Sequence, residues 1–574
     1  MNLNLKSKRV QTFDAVVVGS GITGGWAAKE LSEKGLKTLV LERGKNVEHI
    51  KDYKTAMLDK WELPNRGKTP VAEIEKDYPK QSRTGYTINE TDKHFFVKDS
   101  DHPYSETKRF DWLRGYQLGG RSLNWGRQSY RWGPMDFEAN AKDGIGVDWP
   151  VRYDEIAPWY DYVERFAGIS GEKRGFKQLP DGHFLPAMEM SCVESHFRSE
   201  VESKIKGRYV TIGRTAHLTG PLPHDNVGRR SNCLHRNRCR RGCPYGGYFS
   251  SLAATLPAAE ITGNLTIATD AIVHHVIYDP ETEKAKGVKV INKETGEATE
   301  FFAKIIFLCA STVASASILM QSVSDRFPEG MGNDSGELGH NIMDHHLEVG
   351  AYAKHEGFLD KYEKGRRPNG IYIPRFRNID NASKTSDFMR GYGYQGYSSR
   401  DDWTRGIAEM QVGKAAKEKL FYPGLWNLGL EGFGECLPDH SNKMTLDFEQ
   451  KDKWGLPTVN FDAAFGENEM KMREDIAVQA AEMLEASGFK GVETYDLGAN
   501  IGLGIHEMGT ARMGKDSKTS VLNRWNQVHS VKNVFVTDGA FMASSACQNP
   551  SLTYMAFTAR ACDFAVSELK KGNL

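Results

Sequence analysis

The stretch Phe13–Arg43, FDAVVVGSGITGGWAAKELSEKGLKTLVLER, decides how this chain begins to fold. Asp14 to Val18 is a short apolar run suited to a buried parallel strand. Gly19, Gly21 and Gly24 follow at the spacing GxGxxG: the first allows a tight turn, the second lets the backbone approach a pyrophosphate, and the third lets helix and strand pack closely. A helix opening near Ile22 aims free N–H groups and the positive end of its dipole at the phosphates. Glu42 stands where a carboxylate accepts from a ribose hydroxyl, about 20 residues after the first glycine. Strand, turn, helix and acid together predict a dinucleotide site. They do not distinguish NAD from FAD.

Outward from this stretch the chain is long, at 574 residues, and predicts two or more domains. Lys+Arg and Asp+Glu balance at 75 each, so no net field draws the protein to nucleic acid or to an anionic membrane. The N-terminus, MNLNLKSKRVQTFDAVVV, passes from polar residues straight into the first strand, so no signal peptide of its own is expected. The longest apolar stretch, Ile305 to Met320, is interrupted by Ser and Thr and is too short for a membrane span of about 20 residues. Residues 45–105 are polar and weakly periodic, which suits loops and a lid. From Asn264 to Ala310 the sequence is β-rich and ends in KIIFLCA, a run that predicts a buried strand returning beside the first one. Residues 346–500, with strand-like pieces such as KMTLDFE, predict a second domain. Near the C-terminus VHSVKNVFV, the acid-glycine turn TDG and a helix opening at Asn549-Pro550 bring the chain back to the first domain.

Asn549 is suited to capping that helix, and Leu552, Met555, Ala556, Ala559 and Cys562 recur on its buried face. Upstream lie HEMGTARMG at 506–514 and TDG at 537–539; farther toward the N-terminus are LGGRSLNWG at 118–126 and NIMDHH at 341–346. Together with the N-terminal fingerprint, this arrangement resembles the glucose-methanol-choline (GMC) oxidoreductases over nearly the whole chain, in particular bacterial FAD-dependent sugar dehydrogenases of the glucoside 3-dehydrogenase and gluconate 2-dehydrogenase flavoprotein types. The resemblance implies an α/β fold: a Rossmann-type FAD-binding domain from 1–45, 105–150, 225–345 and 500–574, and a discontinuous α+β substrate-binding domain and lid from 46–104, 151–224 and 346–499. It implies that His506 is the general base on a substrate hydroxyl and that Asn549 holds that hydroxyl. A neutral imidazole, with a reference pKa near 6.5, suits that task. Beside Gly19, Gly21, Gly24 and Glu42, the implied cofactor-binding residues are Arg43, Gly119, Gly120, Asn124 and Trp125. Val273, Ala310, Asp538, Gly539, Asn549 and Thr553 complete them. Pyranose oxidases carry a flavin-linked histidine where this chain has Asn124, so non-covalent FAD is expected. Asp344, His345 and His346 are assigned structural roles, and Trp125, Trp403 and Trp426 are given no sugar-stacking role.

Cys233, Cys239 and Cys243 are spaced C-x5-C-x3-C in SNCLHRNRCRRGCPYGG, within the loop 229–247. The spacing alone leaves zinc, with His235 completing a Cys3His set, and an iron–sulfur cluster even. The resemblance to cytochrome-linked sugar dehydrogenases implies a 3Fe-4S cluster. Arg229, Arg230, Arg236, Arg238, Arg240 and Arg241 surround the loop and are expected as a cationic shell that steers an acidic electron acceptor. The leading expectation is a dehydrogenase that oxidises a secondary ring hydroxyl of a sugar or glucoside, at C3, and passes electrons through the cluster to a c-type cytochrome. The rivals are a pyranose oxidase-like enzyme and a zinc-stabilised flavoprotein with a binding role. A small signal-bearing subunit and periplasmic export with it are expected, cytoplasmic residence being the alternative.

Overall fold

The computed structural model describes residues 11–224, 227–228, 230–362, 367–401, 413–421, 424–498 and 500–574; Arg229 and Trp403 lie outside them. The strand Gln11–Val18 sits inside an eight-stranded sheet. It pairs in parallel with Thr38–Leu41, Val16 opposite Leu39, and with Ala298–Leu308, Val16 opposite Ile306. Parallel pairing continues outward to Leu265–Ala268 on one side and Val531–Val536 on the other. The returning strand thus lies where its apolar run placed it. Val16, Val17, Ile305, Ile306 and Phe307 are fully buried, because helices and loops cover both faces of a parallel sheet. The hairpin of Ala271–Asp279 and Lys284–Asn292 joins this sheet through antiparallel pairing to Ala298–Leu308.

A second, antiparallel sheet of six strands runs in the order Lys490–Asp496, Val349–His355, Trp426–Gly434, Tyr392–Arg400, Ile371–Ile373, Thr211–Ile212. The helix Glu467–Ala486 covers one face, packing Met472, Ile476 and Met483 against Val349, Leu428 and Leu430. Tyr394 points to that helix, its hydroxyl donating to the Ile476 carbonyl at 2.6 Å. Successive strand residues alternate faces, so Gln395 points the other way, toward the site described below. KMTLDFE belongs to neither of these sheets: Lys443–Lys451 pairs with Pro457–Asp462 in a three-stranded sheet with Ser105–Glu106. That sheet is anchored by Phe461, stacked on Phe110 at 4.1 Å.

The apolar run Ile305–Met320 divides into the end of one strand and the helix Thr312–Gln321. Among the described residues no helix is long and apolar enough to cross a membrane. The last helix, Ser551–Lys570, begins one residue after Pro550, and no side chain caps it. Asn549 does not serve as the expected cap because its amide is held by other side chains.

Candidate active site

The two sheets enclose a cavity of about 990 Å3. The fingerprint glycines meet it in three different ways. Gly19, at φ 95°, turns so tightly that a Cβ there would stand 2.4 Å from the Cys309 carbonyl oxygen. A Cβ on Gly24 would stand 2.0 Å from the Gly19 carbonyl, so helix and turn touch through it. Around Gly21 nothing lies within 4 Å of a built Cβ, and the residue lines the cavity. That is the opening a pyrophosphate needs. Gly120, at φ 51°, closes the cradle from the far side, its Cβ position 3.1 Å from the Gly21 Cα. Glu42 accepts from the Ser20 hydroxyl at 2.5 Å and from the Ser20 and Gly44 backbone N–H at 3.1 and 2.8 Å. Burial raises its pKa and these bonds oppose the rise. A carboxylate has about four lone-pair sites, so acceptor capacity remains toward the cavity.

Arg43 reaches Asp452 at 3.0 Å and lies over the rings of Tyr116 and Trp454, a platform at the far end of the cavity. Its buried Nε has no partner, and neither has the hydroxyl of Tyr554; both residues line the cavity. Asn124, Trp125, Val273, Ala310, Asp538 and Gly539 line it too. Asp538 accepts from the Ser311 and Ala540 backbone N–H and from the Ser315 hydroxyl, tying two turns together; burial pushes its pKa up to about 6. Gly119 and Thr553 are not part of the lining. Gly119 donates its N–H to Ser20 and shapes the turn, whereas the Thr553 hydroxyl pairs with Tyr160 on the buried side of the helix. Ser551 and Tyr554 of that helix face the cavity in its place.

His506 and Asn549, 43 residues apart, meet here: Asn549 Nδ2 lies 3.2 Å from His506 Nε2. Gln395 Nε2 donates to Asn549 Oδ1 at 2.8 Å from the second sheet. Behind the base, His345 Nδ1 lies 2.9 Å from His506 Nδ1. The Asp344 carboxylate accepts from the backbone N–H of His506 at 2.9 Å and Gly504 at 2.8 Å, holding a loop in which Ile505 takes φ 61°. Burial, with His345 and Arg121 nearby, lowers the His506 pKa well below 6.5 and keeps the ring neutral. Burial and the neighbouring Glu507 push Asp344 up to about 7, against the pull of its three backbone donors. Arg121 pairs with Glu507 at 2.9 Å on the cavity wall. From sequence alone His345 has only a structural role, and Gln395 and Arg121 have none: each becomes visible when segments distant in sequence face the same space.

Cys233, Cys239 and Cys243 share a second, smaller cavity with His217, Arg236 and Tyr248. Gly247 N–H lies 3.4 Å from Cys243 Sγ. Burial raises the Cys233 thiol to about 11 and raises Cys239 as well. Among the described residues no three His, Cys, Asp or Glu side chains are gathered tightly enough to hold an ion. His235, the fourth ligand offered by spacing, does not line the cavity. His217 does, with Nε2 3.7 Å from Cys239 Sγ and Nδ1 without a partner. Cys239 lines both cavities.

The described arginines of this loop donate largely to backbone carbonyls. Arg236 donates to the Ala56 carbonyl at 2.6 Å, Arg241 to Thr55 and Leu58 at 3.3 and 2.7 Å, and Arg240 to Tyr86 at 3.1 Å. Arg238 pairs with Asp59 and donates to the Met57 and Leu58 carbonyls. Arg230 is buried against Gly246 and Ala167. Guanidinium forks matching successive carbonyls fasten residues 55–59 and 86 to the cysteine loop.

A dinucleotide cradle, a neutral histidine beside an amide, and a cavity between them define a flavin-dependent alcohol-oxidising architecture. Residues 13–347 and 438–558 match the GMC oxidoreductase family, and the chain belongs to it, as an FAD-dependent oxidoreductase acting on CH–OH donors. It is 24% identical to the fructose dehydrogenase large subunit of Gluconobacter japonicus over 99% of this chain and 100% of that one. It is 29% identical to 2-methyl-1,2-propanediol dehydrogenase of Mycolicibacterium austroafricanum over 96% and 94%. Pyridoxine 4-oxidase from Mesorbium loti shares the fold at a TM-score of 0.57 and 19% identity, covering 96% of this chain and 98% of that one.

Proposed function

We propose that this protein is a sugar dehydrogenase that oxidises a secondary ring hydroxyl, at C3 of a glucoside, and sends electrons through a cluster at Cys233, Cys239 and Cys243 to a c-type cytochrome. Bound without a covalent link in the cradle of Gly19, Gly21, Gly120 and Glu42, FAD supplies the acceptor for the hydride. The protein supplies the rest. A hydroxyl that displaces the 3.2 Å contact between Asn549 Nδ2 and His506 Nε2 would accept a hydrogen bond from the amide and give its proton to the imidazole, leaving its C–H hydrogen for the hydride acceptor. Loss of one proton and one hydride leaves a ketone. The lid latched by Arg236, Arg238, Arg240 and Arg241 keeps water out.

The observation that carries the electron exit is Cys239, which belongs to the walls of both the large cavity and the cysteine cavity. The three thiols are not gathered tightly enough to hold an ion as they stand, so the loop would have to draw them together; a cluster with a ligand at Cys239 would then adjoin the flavin site, and three thiolates would suit three irons. A relative of this chain is called a large subunit, which agrees with work alongside a smaller subunit; periplasmic export in that subunit's company is part of the proposal. The test is metal analysis with electron paramagnetic resonance on the resting protein. Three irons per chain and a 3Fe-4S signal support the relay; bound zinc, or neither metal, sinks it.

A further inference from the structure

The base His506 is one member of a hydrogen-bonded chain whose end fixes every proton in it. His345 Nε2 contacts the backbone carbonyl oxygen of Ala546. A carbonyl only accepts, so His345 carries its proton on Nε2. Burial holds His345 near a pKa of about 4, so the ring is neutral and has one proton to place. Its Nδ1 is therefore an acceptor, and the atom facing it at 2.9 Å is His506 Nδ1, which must be the donor. His506 is neutral as well, which leaves its Nε2 with a bare lone pair. That lone pair faces Asn549 Nδ2, and the amide is oriented from its other side by Gln395, whose Nε2 donates to Asn549 Oδ1. Four donors, Gln395, Asn549, His506 and His345, thus point in one direction and end on the Ala546 carbonyl.

We propose that His345 is a positioning residue: through its Nδ1 it holds His506 in the Nδ1–H tautomer, so that the proton-accepting Nε2 always faces the substrate hydroxyl. The geometry isolates the role. Asp344 binds backbone N–H groups, those of His506 and Gly504 and that of His345, and sets the position of both segments, whereas among the described residues it is His345 that touches the His506 ring nitrogen opposite the substrate side. Without that acceptor the ring can carry its proton on Nε2, where it would donate to the hydroxyl rather than accept from it.

This inference rests on His506 being the base of the proposed reaction, but its central readout needs no substrate. The FAD-loaded protein is labelled with 15N and 13C in its histidines, and the His506 ring signals are identified by their loss in H506N. The expected wild-type spectrum has a pyrrole-type Nδ1 and a pyridine-type Nε2 in His506. H345Q should keep it, since an amide can accept from His506 and donate to Ala546, and H345L should release a visible fraction of the Nε2–H form. An Nε2–H ring in the wild-type protein, or an H345L spectrum as pure as the wild type, overturns the proposal. If H345L does not fold, the wild-type and H345Q spectra decide. Where D-fructose or methyl glucoside reduces the flavin, the rate should fall about 100-fold in H345L and recover to within about tenfold in H345Q, in the range that general-base catalysis contributes. Failure of both sugars to reduce it, with the Nδ1–H spectrum intact, refutes the sugar reading and leaves this one standing.

Discussion

At the scale of single residues, the three fingerprint glycines separate folding from cofactor binding. A methyl group on Gly24 collides with the Gly19 backbone, so G24A is expected to lose stability by about 1–3 kcal/mol even without FAD. A methyl group on Gly21 meets no protein atom and occupies the space left for phosphate. G21A should therefore melt like the wild type as apoprotein and lose FAD affinity at least tenfold, which thermal denaturation and flavin titration measure side by side. Equal melting losses in both variants would count against this division. His506 is legible in the sequence only with the family pattern around it. Its tautomer is not legible at all, because His345, Gln395 and the Ala546 carbonyl approach it from segments 161, 111 and 40 positions away.

At the scale of elements, local sequence carried the fold where one pattern had one solution. The VVV and IIF runs are apolar on both faces and pair in parallel, and the helix after Ile22 opens on its glycines. KMTLDFE reads as a strand from its alternation, yet alternation does not name the partner, and the neighbours supplied by Pro457–Asp462 and Ser105–Glu106 decide it. In sequence the arginine run reads as a cationic shell, and its backbone partners are not legible there because the carbonyls gripped by Arg236 and Arg238 lie some 180 residues earlier. R241A is expected to loosen residues 55–58, so that limited proteolysis cuts there several-fold faster, while unchanged cutting argues against the latch. Under the same lid Asp92 is buried with Oδ1 unpartnered, and burial pushes its pKa up to about 7 despite Arg240. A folded-state pKa above the unfolded value near 3.9 makes its contribution most favourable in acid and erodes it as pH rises toward 7. D92N should therefore gain stability relative to the wild type between about pH 4 and 7 and hold that gain above it; a difference independent of pH in denaturant titrations would refute the shift.

At the scale of the molecule, two sheets with different pairing divide the work. The parallel sheet ends its strands at the cradle, and the antiparallel sheet presents Gln395 to the amide that faces the base. Residues 55–59 and 86 meet the cysteine loop, so the proposed electron exit and the proposed lid share that loop. Because Asn124 offers no imidazole for a covalent link, acid precipitation should leave all the flavin in solution, and colour retained on the precipitate would show a bond. In the proposed reaction His506 and Asn549 present a sugar hydroxyl to FAD while Cys239 adjoins the electron exit. Anaerobic addition of methyl glucoside, D-fructose and related polyols, followed by absorbance and electron paramagnetic resonance, tests it most directly. The account expects a polyol to bleach the wild-type flavin and change the cluster signal, with H506A binding FAD normally and bleaching at least 100-fold more slowly. A flavin that dithionite reduces but no polyol does, or an H506A protein reduced as fast as the wild type, contradicts it.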